Sequence, residues 1–138
     1  MDPVSWVLRE YPLPAPAARP RRLVITPDDR IFVGDYARGK LARFDPSTGA
    51  VVEWATPAGE RSAPYAMTGD DTGRVWLVET GPQPNRLVLF DPGTERFGPP
   101  VPITPSGGIV VRNMSFDPAT RSIWFGTDAG TIGRARLR

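Results

Sequence analysis

The sequence predicts an all-β protein built from repeated four-stranded antiparallel sheets, and three observations lead to this fold class. Glycine and proline, at 14 and 17 of 138 residues, supply many turns. Short β-branched and aromatic runs stand between those turns, and no ten-residue stretch has helical periodicity. Finally, "IFVGD" at 31–35 returns as "VWLVE" at 75–79 and as "IWFGT" at 123–127. One structural unit is therefore repeated along the chain.

The first unit has room for four strands in succession. They are predicted at 21–25, 30–35, 40–45 and 50–56, separated by "TPDD", "YARG" and "PSTG", which favour tight turns. Four strands in 40–48 residues, repeated, are typical of β-propeller blades. The aromatic residues in the second strands, Phe32, Trp76 and Trp124, are predicted to lie between blades, and the Asp-Pro pairs to form turns.

The third unit ends before its fourth strand. "LREYPLP" at 8–14 resembles "VVEWATP" at 51–57, so the N-terminal strand is predicted to complete the last blade. The whole chain, 1–138, then forms one domain with blade units 20–62, 63–108, and 109–138 plus 5–14.

Three blades fall short of the four to eight that propellers have, and two apolar blade faces would stay uncovered. The chain could be half of a six-bladed ring formed by a homodimer, or a partial propeller cut from a longer protein. It could also be a compact monomer with its N-terminal strand folded back. Self-association is the preferred expectation.

The composition limits the possible chemistry and partners. The sequence has no Cys and no His, so thiolate metal sites and a histidine base are excluded. Sixteen of the 17 basic residues are arginine, but the tightest cluster, "RPRR" at 19–22, is too short for a nucleic-acid-binding stripe. The N-terminus lacks the features of a signal peptide, and no apolar run could span a membrane. We expect a soluble cytoplasmic protein without nucleic-acid or membrane partners.

The stretch "EYPLPAPAARPRRLVITPDDRIFVGDYARGKLARFDPSTGAVVEW" resembles the repeat of the streptogramin (virginiamycin B) lyase-like β-propellers, and the likeness extends from Glu10 to about Arg134. The resemblance implies a propeller fold. It also implies an eliminative lyase that opens a cyclic depsipeptide with a histidine base and Mg²⁺. Because this chain has no His, the base has no counterpart, and whether the protein is an enzyme stays open.

The repeat also predicts which residues surround the mouth of the propeller. At the ends of the second strands stand Asp35, Glu79 and Thr127, with Asp128 beside the last. Carboxylates Asp35, Glu79 and Asp128 could hold a hard cation such as Mg²⁺ or Ca²⁺, although no cofactor is certain. Alternatively, they accept hydrogen bonds from loop amides at strand ends. The predicted ligand-binding residues, for an anionic or carbonyl-bearing ligand, are Arg21, Tyr65, Asn113 and Thr127.

Three functions remain possible. The preferred one is a non-catalytic module that binds a small molecule or a protein. The alternative is a divergent metal-dependent lyase or lactone hydrolase, with its site assembled by self-association or in a longer parent protein. A remnant of such a protein without a role of its own is the third.

Overall fold

The computed structural model describes residues 8–138 and is all-β, as predicted. In the first sheet, four strands pair in chain order: β1 (Pro20–Ile25), β2 (Ile31–Asp35), β3 (Lys40–Phe44) and β4 (Val51–Ala55). Each lies within a residue or two of its predicted bounds. All strand pairs are antiparallel. The described residues contain no α-helix, only a 3-10 turn at Gly59–Arg61.

Two further sheets follow along the chain. The second contains β5 (Pro64–Gly69), β6 (Val75–Glu79), β7 (Arg86–Asp91) and β8 (Arg96–Phe97), and β9 (Val101–Pro102) also pairs with β7. The third contains β10 (Met114–Asp117), β11 (Ser122–Gly126) and β12 (Ile132–Arg136). No helix within residues 8–138 is long and apolar enough to cross a membrane.

The Asp-Pro pairs form turns, as predicted. In each turn an aspartate Oδ1 accepts a hydrogen bond from the backbone N–H two residues on: Ser47 to Asp45 at 2.8 Å, and Gly93 to Asp91 at 2.8 Å. This local bond stabilises the bend that proline presets and so joins neighbouring strands without a long loop.

Apolar side chains fill the two interfaces between neighbouring sheets. Strand alternation sends Phe32 toward the second sheet and Trp76 toward the third, which confirms the prediction for both. Trp124, predicted to be equally enclosed, is 41% exposed, because no described sheet covers that side of the third sheet. The first interface contains Val24, Phe32, Leu41, Met67, Val75, Leu77, Val88 and Phe90.

The predicted completion of the third sheet by residues 8–14 within one chain is wrong. Residues 8–14 form no strand, and within residues 8–138 the third sheet contains three strands. Residues 5–7 of the predicted unit lie outside the described residues. The segment lies instead against the first sheet, where the Tyr11 ring is 4.8 Å from that of Phe44. The physical reason is the open arrangement of the sheets: the first and third lie on opposite sides of the second, so the segment cannot reach the edge of β12.

Two β-bulges shape the innermost strands. The pairing of β1 with β2 shifts between Pro20 and Leu23, and that of β5 with β6 shifts at the equivalent place, between Pro64 and Met67. A bulge changes the direction of the side chains in it and often lies next to a functional site.

Candidate ligand-binding site

Arginine and tyrosine side chains from the first two sheets stack on one another next to these bulges. The guanidinium carbon of Arg21 lies 5.0 Å from the ring centroid of Tyr36 and 5.7 Å from that of Tyr65. The two rings meet edge to face, 5.7 Å apart. The guanidinium carbon of Arg22 also lies 5.6 Å from the ring centroid of Tyr65. We call Arg21, Arg22, Tyr36 and Tyr65 the arginine–tyrosine cluster.

Each member is positioned by a defined backbone feature. Arg21 and Arg22 fall inside the bulge of β1, and Tyr65 falls inside the bulge of β5. Tyr36 directly follows β2, and its backbone N–H donates to the carbonyl of Arg19 at 3.0 Å. The cluster therefore depends on repeated irregularities in the sheets rather than on a flexible loop.

The connection that leads into the third sheet extends the cluster with a third arginine. Arg22 Nε donates to the backbone carbonyl of Arg112 at 3.2 Å, and Arg112 Nη2 donates to Asp128 Oδ2 at 3.0 Å. The Asp128 carboxylate raises the pKa of Arg112 above its usual value. Asn113 is exposed beside Arg112 and makes no side-chain hydrogen bond to any residue in 8–138.

The arginine–tyrosine cluster carries two positive charges, on Arg21 and Arg22. Within the described part of the chain, neither Arg21 nor Arg22 forms an ion pair, and both are exposed. Two other arginines that stack on rings do have carboxylate partners: Arg43 over Trp54 pairs with Glu95 at 3.2 Å, and Arg74 over Trp76 pairs with Asp70 at 2.9 Å. Arg9 and Arg134 also stack on rings, and neither pairs with a carboxylate in residues 8–138. Aromatic stacking thus holds the Arg21 guanidinium while its N–H donors stay free for a ligand.

The first predicted cation ligand, Asp35, is fully buried and bonded to protein groups. Its Oδ1 accepts from the backbone N–H of Arg19 at 3.0 Å, and its Oδ2 accepts from Arg38 Nε at 2.6 Å. Arg38 also donates a hydrogen bond to the Glu53 carboxylate, which accepts a second one from Lys40 Nζ at 3.0 Å. Asp35 thereby ties the segment before β1 to the turn between β2 and β3.

Glu79 has the same arrangement in the second sheet. It is fully buried, its Oε2 accepts from Arg86 Nε at 2.9 Å and Nη2 at 2.5 Å, and its Oε1 accepts from the backbone N–H of Ala58 at 2.7 Å. Because Ala58 belongs to the connection leaving the first sheet, this carboxylate links two successive sheets. Both observations match the alternative that the sequence left open, in which strand-end carboxylates accept bonds from loop amides.

The remaining predicted residues lie in the turn after β11. The Thr127 hydroxyl accepts hydrogen bonds from the backbone N–H groups of Ala129 and Thr131 at 3.2 and 3.3 Å. The Asp128 side chain is exposed and forms an ion pair with Arg112. Across residues 8–138, no three carboxylates, histidines or cysteines are grouped so that they could hold a metal ion. The structure thus does not bring Asp35, Glu79 and Asp128 together, and a cation at any of them stays a prediction.

Sequence reasoning placed Arg21 and Tyr65 at the mouth, and the structure brings these two together. It did not single out Tyr36 or Arg22, whose only signals were the adjacent arginines "RR" and a tyrosine after the strand-end aspartate. It also did not single out Asn85, which directly precedes β7. Asn85 is fully buried, and its Oδ1 accepts from the backbone N–H of Val111 at 3.2 Å, joining the second sheet to the third.

Solved structures share this fold. A streptogramin B lyase matches 91% of this chain with a TM-score of 0.76 and 21% identity, and the match covers 39% of the lyase. The virginiamycin B lyase of Staphylococcus aureus matches 94% with a TM-score of 0.69 and 22% identity, over 45% of its own length. A luciferin-regenerating enzyme matches 86% with a TM-score of 0.64 and 17% identity, over 45% of its length.

This chain spans less than half the length of the lyases it matches. No protein-family model matches it, and no curated protein matches it by sequence. At these identities, structural similarity establishes the fold alone, and the activity depends on the residues of the site. The resemblance read from the repeat is confirmed: the protein has the blade fold of the streptogramin lyase-like β-propellers.

Proposed function

We propose that the protein is a non-catalytic binding module whose arginine–tyrosine cluster recognises a small molecule that carries a carboxylate or a phosphate. The observation that carries this proposal is the pair of exposed guanidinium groups, Arg21 and Arg22, stacked on tyrosine rings without a carboxylate partner in the described residues. Guanidinium groups bind planar anions in bidentate geometry, and stacking fixes their orientation before the ligand arrives.

The chemistry of the cluster favours binding over catalysis. Arginine and tyrosine side chains are poor general bases at neutral pH, and the sequence offers no histidine or cysteine in their place. Two carboxylates adjoin the cluster, and both are bonded to arginines: Asp128 to Arg112 at 3.0 Å, and the fully buried Asp35, next to Tyr36 in the chain, to Arg38 at 2.6 Å. The site can therefore orient an anion and donate hydrogen bonds to it.

The proposal is tested by titrating the protein with inorganic phosphate and with a dicarboxylate such as succinate, followed by NMR chemical shifts or calorimetry. The Arg21→Gln/Arg22→Gln double variant should weaken binding at least about tenfold, since each lost charged hydrogen bond contributes about 1.5–3 kcal/mol. Arg43→Gln is the matched control, because Arg43 also stacks on a ring but already has a carboxylate partner. Absence of binding by both anions, or equal binding by the double variant, would overturn the proposal.

A second candidate is a divergent metal-dependent lyase or lactone hydrolase, favoured by the fold shared with the streptogramin lyases. Asp35 or Glu79 would supply cation ligands in this hypothesis. Incubation with virginiamycin B and Mg²⁺, followed by mass spectrometry, distinguishes ring opening from no reaction. A linear product that disappears in Glu79→Gln while the variant stays folded would favour this candidate over the binding module.

A further inference from the structure

Two apolar sheet faces of this chain have no cover among the described residues. On the first sheet, the face opposite Phe32 presents Leu23 and Ile25, both 60% exposed. On the third sheet, the face opposite Phe125 presents Trp124 at 41% and Ile132 at 81% exposure. Large side chains in these positions are costly to leave in water, and contiguous patches of this kind mark association surfaces.

The repeat shows that these two faces correspond to the two sides of an interface already buried within the chain. Trp124 holds the position of Phe32, and Ile132 holds that of Leu41, as the strand registers show. Both Phe32 and Leu41 are fully buried where the first sheet packs on the second. The uncovered face of the third sheet is therefore of the type that packs onto a following sheet.

The uncovered face of the first sheet is the complementary type. Leu23 and Val33 pair across β1 and β2 as Met67 and Leu77 pair across β5 and β6. Met67 and Leu77 lie on the side of the second sheet that receives the first. A third sheet placed on a first sheet would thus repeat an interface that the chain forms internally.

The N-terminal segment supplies independent support. Tyr11 lies 4.8 Å from Phe44, just as Trp54 of β4 lies 4.9 Å from Phe90 in the second sheet. Residues 8–12 therefore occupy the place of an outermost strand from a preceding sheet, yet they pair with no strand.

The third sheet has the matching vacancy in its strand pairing. Among the described residues, strand β12 pairs on one side only, with β11, whereas β3 in the first sheet pairs on both sides. An open groove of about 890 Å³ runs beside β12, lined by apolar side chains that include Val101, Ile103 and Ile132. An unpaired strand edge beside an apolar groove is the surface to which an additional strand binds.

We infer that the occupant of both faces is a second copy of this chain, arranged head to tail. The third sheet of each copy packs on the first sheet of the other, and residues 8–12 of one copy pair with β12 of its partner. Repeating the contact by a two-fold rotation closes a ring of six sheets, within the range of four to eight found in propellers. Arg134 then meets Tyr11 of the second copy as Arg43 meets Trp54, at 5.5 Å, within one chain.

Sedimentation velocity over a dilution series tests this arrangement. The wild type should sediment with twice the mass of one chain and dissociate on dilution. Ile132→Lys and Leu23→Lys each place a charge on one of the two faces and should raise the dissociation constant at least tenfold. Val52→Lys is the matched control, since Val52 is 41% exposed but lies on neither uncovered face. All three sites are exposed, so circular dichroism should show unchanged folding.

Mixing the two variants tests the head-to-tail geometry. An Ile132→Lys chain keeps its first-sheet face, and a Leu23→Lys chain keeps its third-sheet face, so the mixture should regain a dimer with one intact contact, weaker than wild type. A wild type that stays monomeric at every concentration would overturn the inference and leave further sheets of a longer chain as the cover. Larger open assemblies would also overturn it, as would a dimer insensitive to either variant.

Discussion

Glu79 allows a quantitative test of whether the strand-end carboxylates have a structural role. Replacing it with Gln keeps the shape of the side chain and removes the charge that faces Arg86. Breaking a buried ion pair by removing one partner costs about 3–5 kcal/mol. Because the Arg86 side chain is 29% exposed, water restores part of its solvation, and the expected loss is about 2–3 kcal/mol.

Urea unfolding at neutral pH measures this loss, with all variants at one protein concentration because self-association would raise the apparent stability. Asp128→Asn is the control: it breaks an ion pair whose side chains are 60% and 42% exposed, so it should cost less than about 1 kcal/mol. Each curve is recorded with a chelator and again with Mg²⁺ or Ca²⁺.

Two results would refute the reasoning about Glu79. One is a loss below about 1 kcal/mol, which would mean that its bonds to Arg86 and Ala58 contribute no more than a surface pair. The other is that the cation stabilises the wild type and that the wild type and the Glu79→Gln variant differ in stability only when the cation is present. That second result would assign the carboxylate to a cation site.

Three other predictions concern stability. Burial raises the pKa of Asp70, but hydrogen bonds from a threonine hydroxyl, the Trp76 indole and two backbone amides outweigh burial and lower the pKa. The ionised carboxylate therefore stabilises the fold above the unfolded pKa of about 3.9, and this stabilisation is lost as the pH falls through the folded pKa. Asp70→Asn should flatten the acid decline of the urea midpoint between pH 7 and pH 3, and an unchanged slope would contradict this. Gly39 and Gly49 both have positive φ, but a Cβ on Gly39 would lie 1.8 Å from a backbone oxygen, whereas a Cβ on Gly49 would meet nothing within 4 Å. Substitution by alanine should therefore destabilise the protein by about 3 kcal/mol or more at Gly39 and by about 1 kcal/mol at Gly49. Equal losses of stability for the two variants in urea unfolding would contradict this. Phe90→Ala removes a fully buried ring and should cost about 3–5 kcal/mol in the same assay, whereas a loss below about 1 kcal/mol would mean that the core closes around the gap.

The candidate site was predictable only in part. Repeat positions placed Arg21 and Tyr65 on the same rim, since equivalent residues of successive sheets lie side by side. The stacking partner Tyr36 was not predictable, because it depends on how closely two sheets approach at their bulges. The partner of the Glu79 carboxylate, a cation or an arginine, was also not predictable from the sequence. Arg86 becomes its neighbour only because β6 pairs with β7.

By itself, the sequence determined the fold class and the strands of the first sheet, because alternating apolar residues and Asp, Gly and Pro turns act over a few neighbouring residues. Only the tertiary structure decided where residues 8–14 lie. Their pattern suits an outermost strand of any sheet, and the connection to β1 holds them against the first sheet through Tyr11 and Phe44, away from β12. Local pattern specifies a strand, whereas the partner of that strand depends on which sheet edge the folded chain can bring within reach.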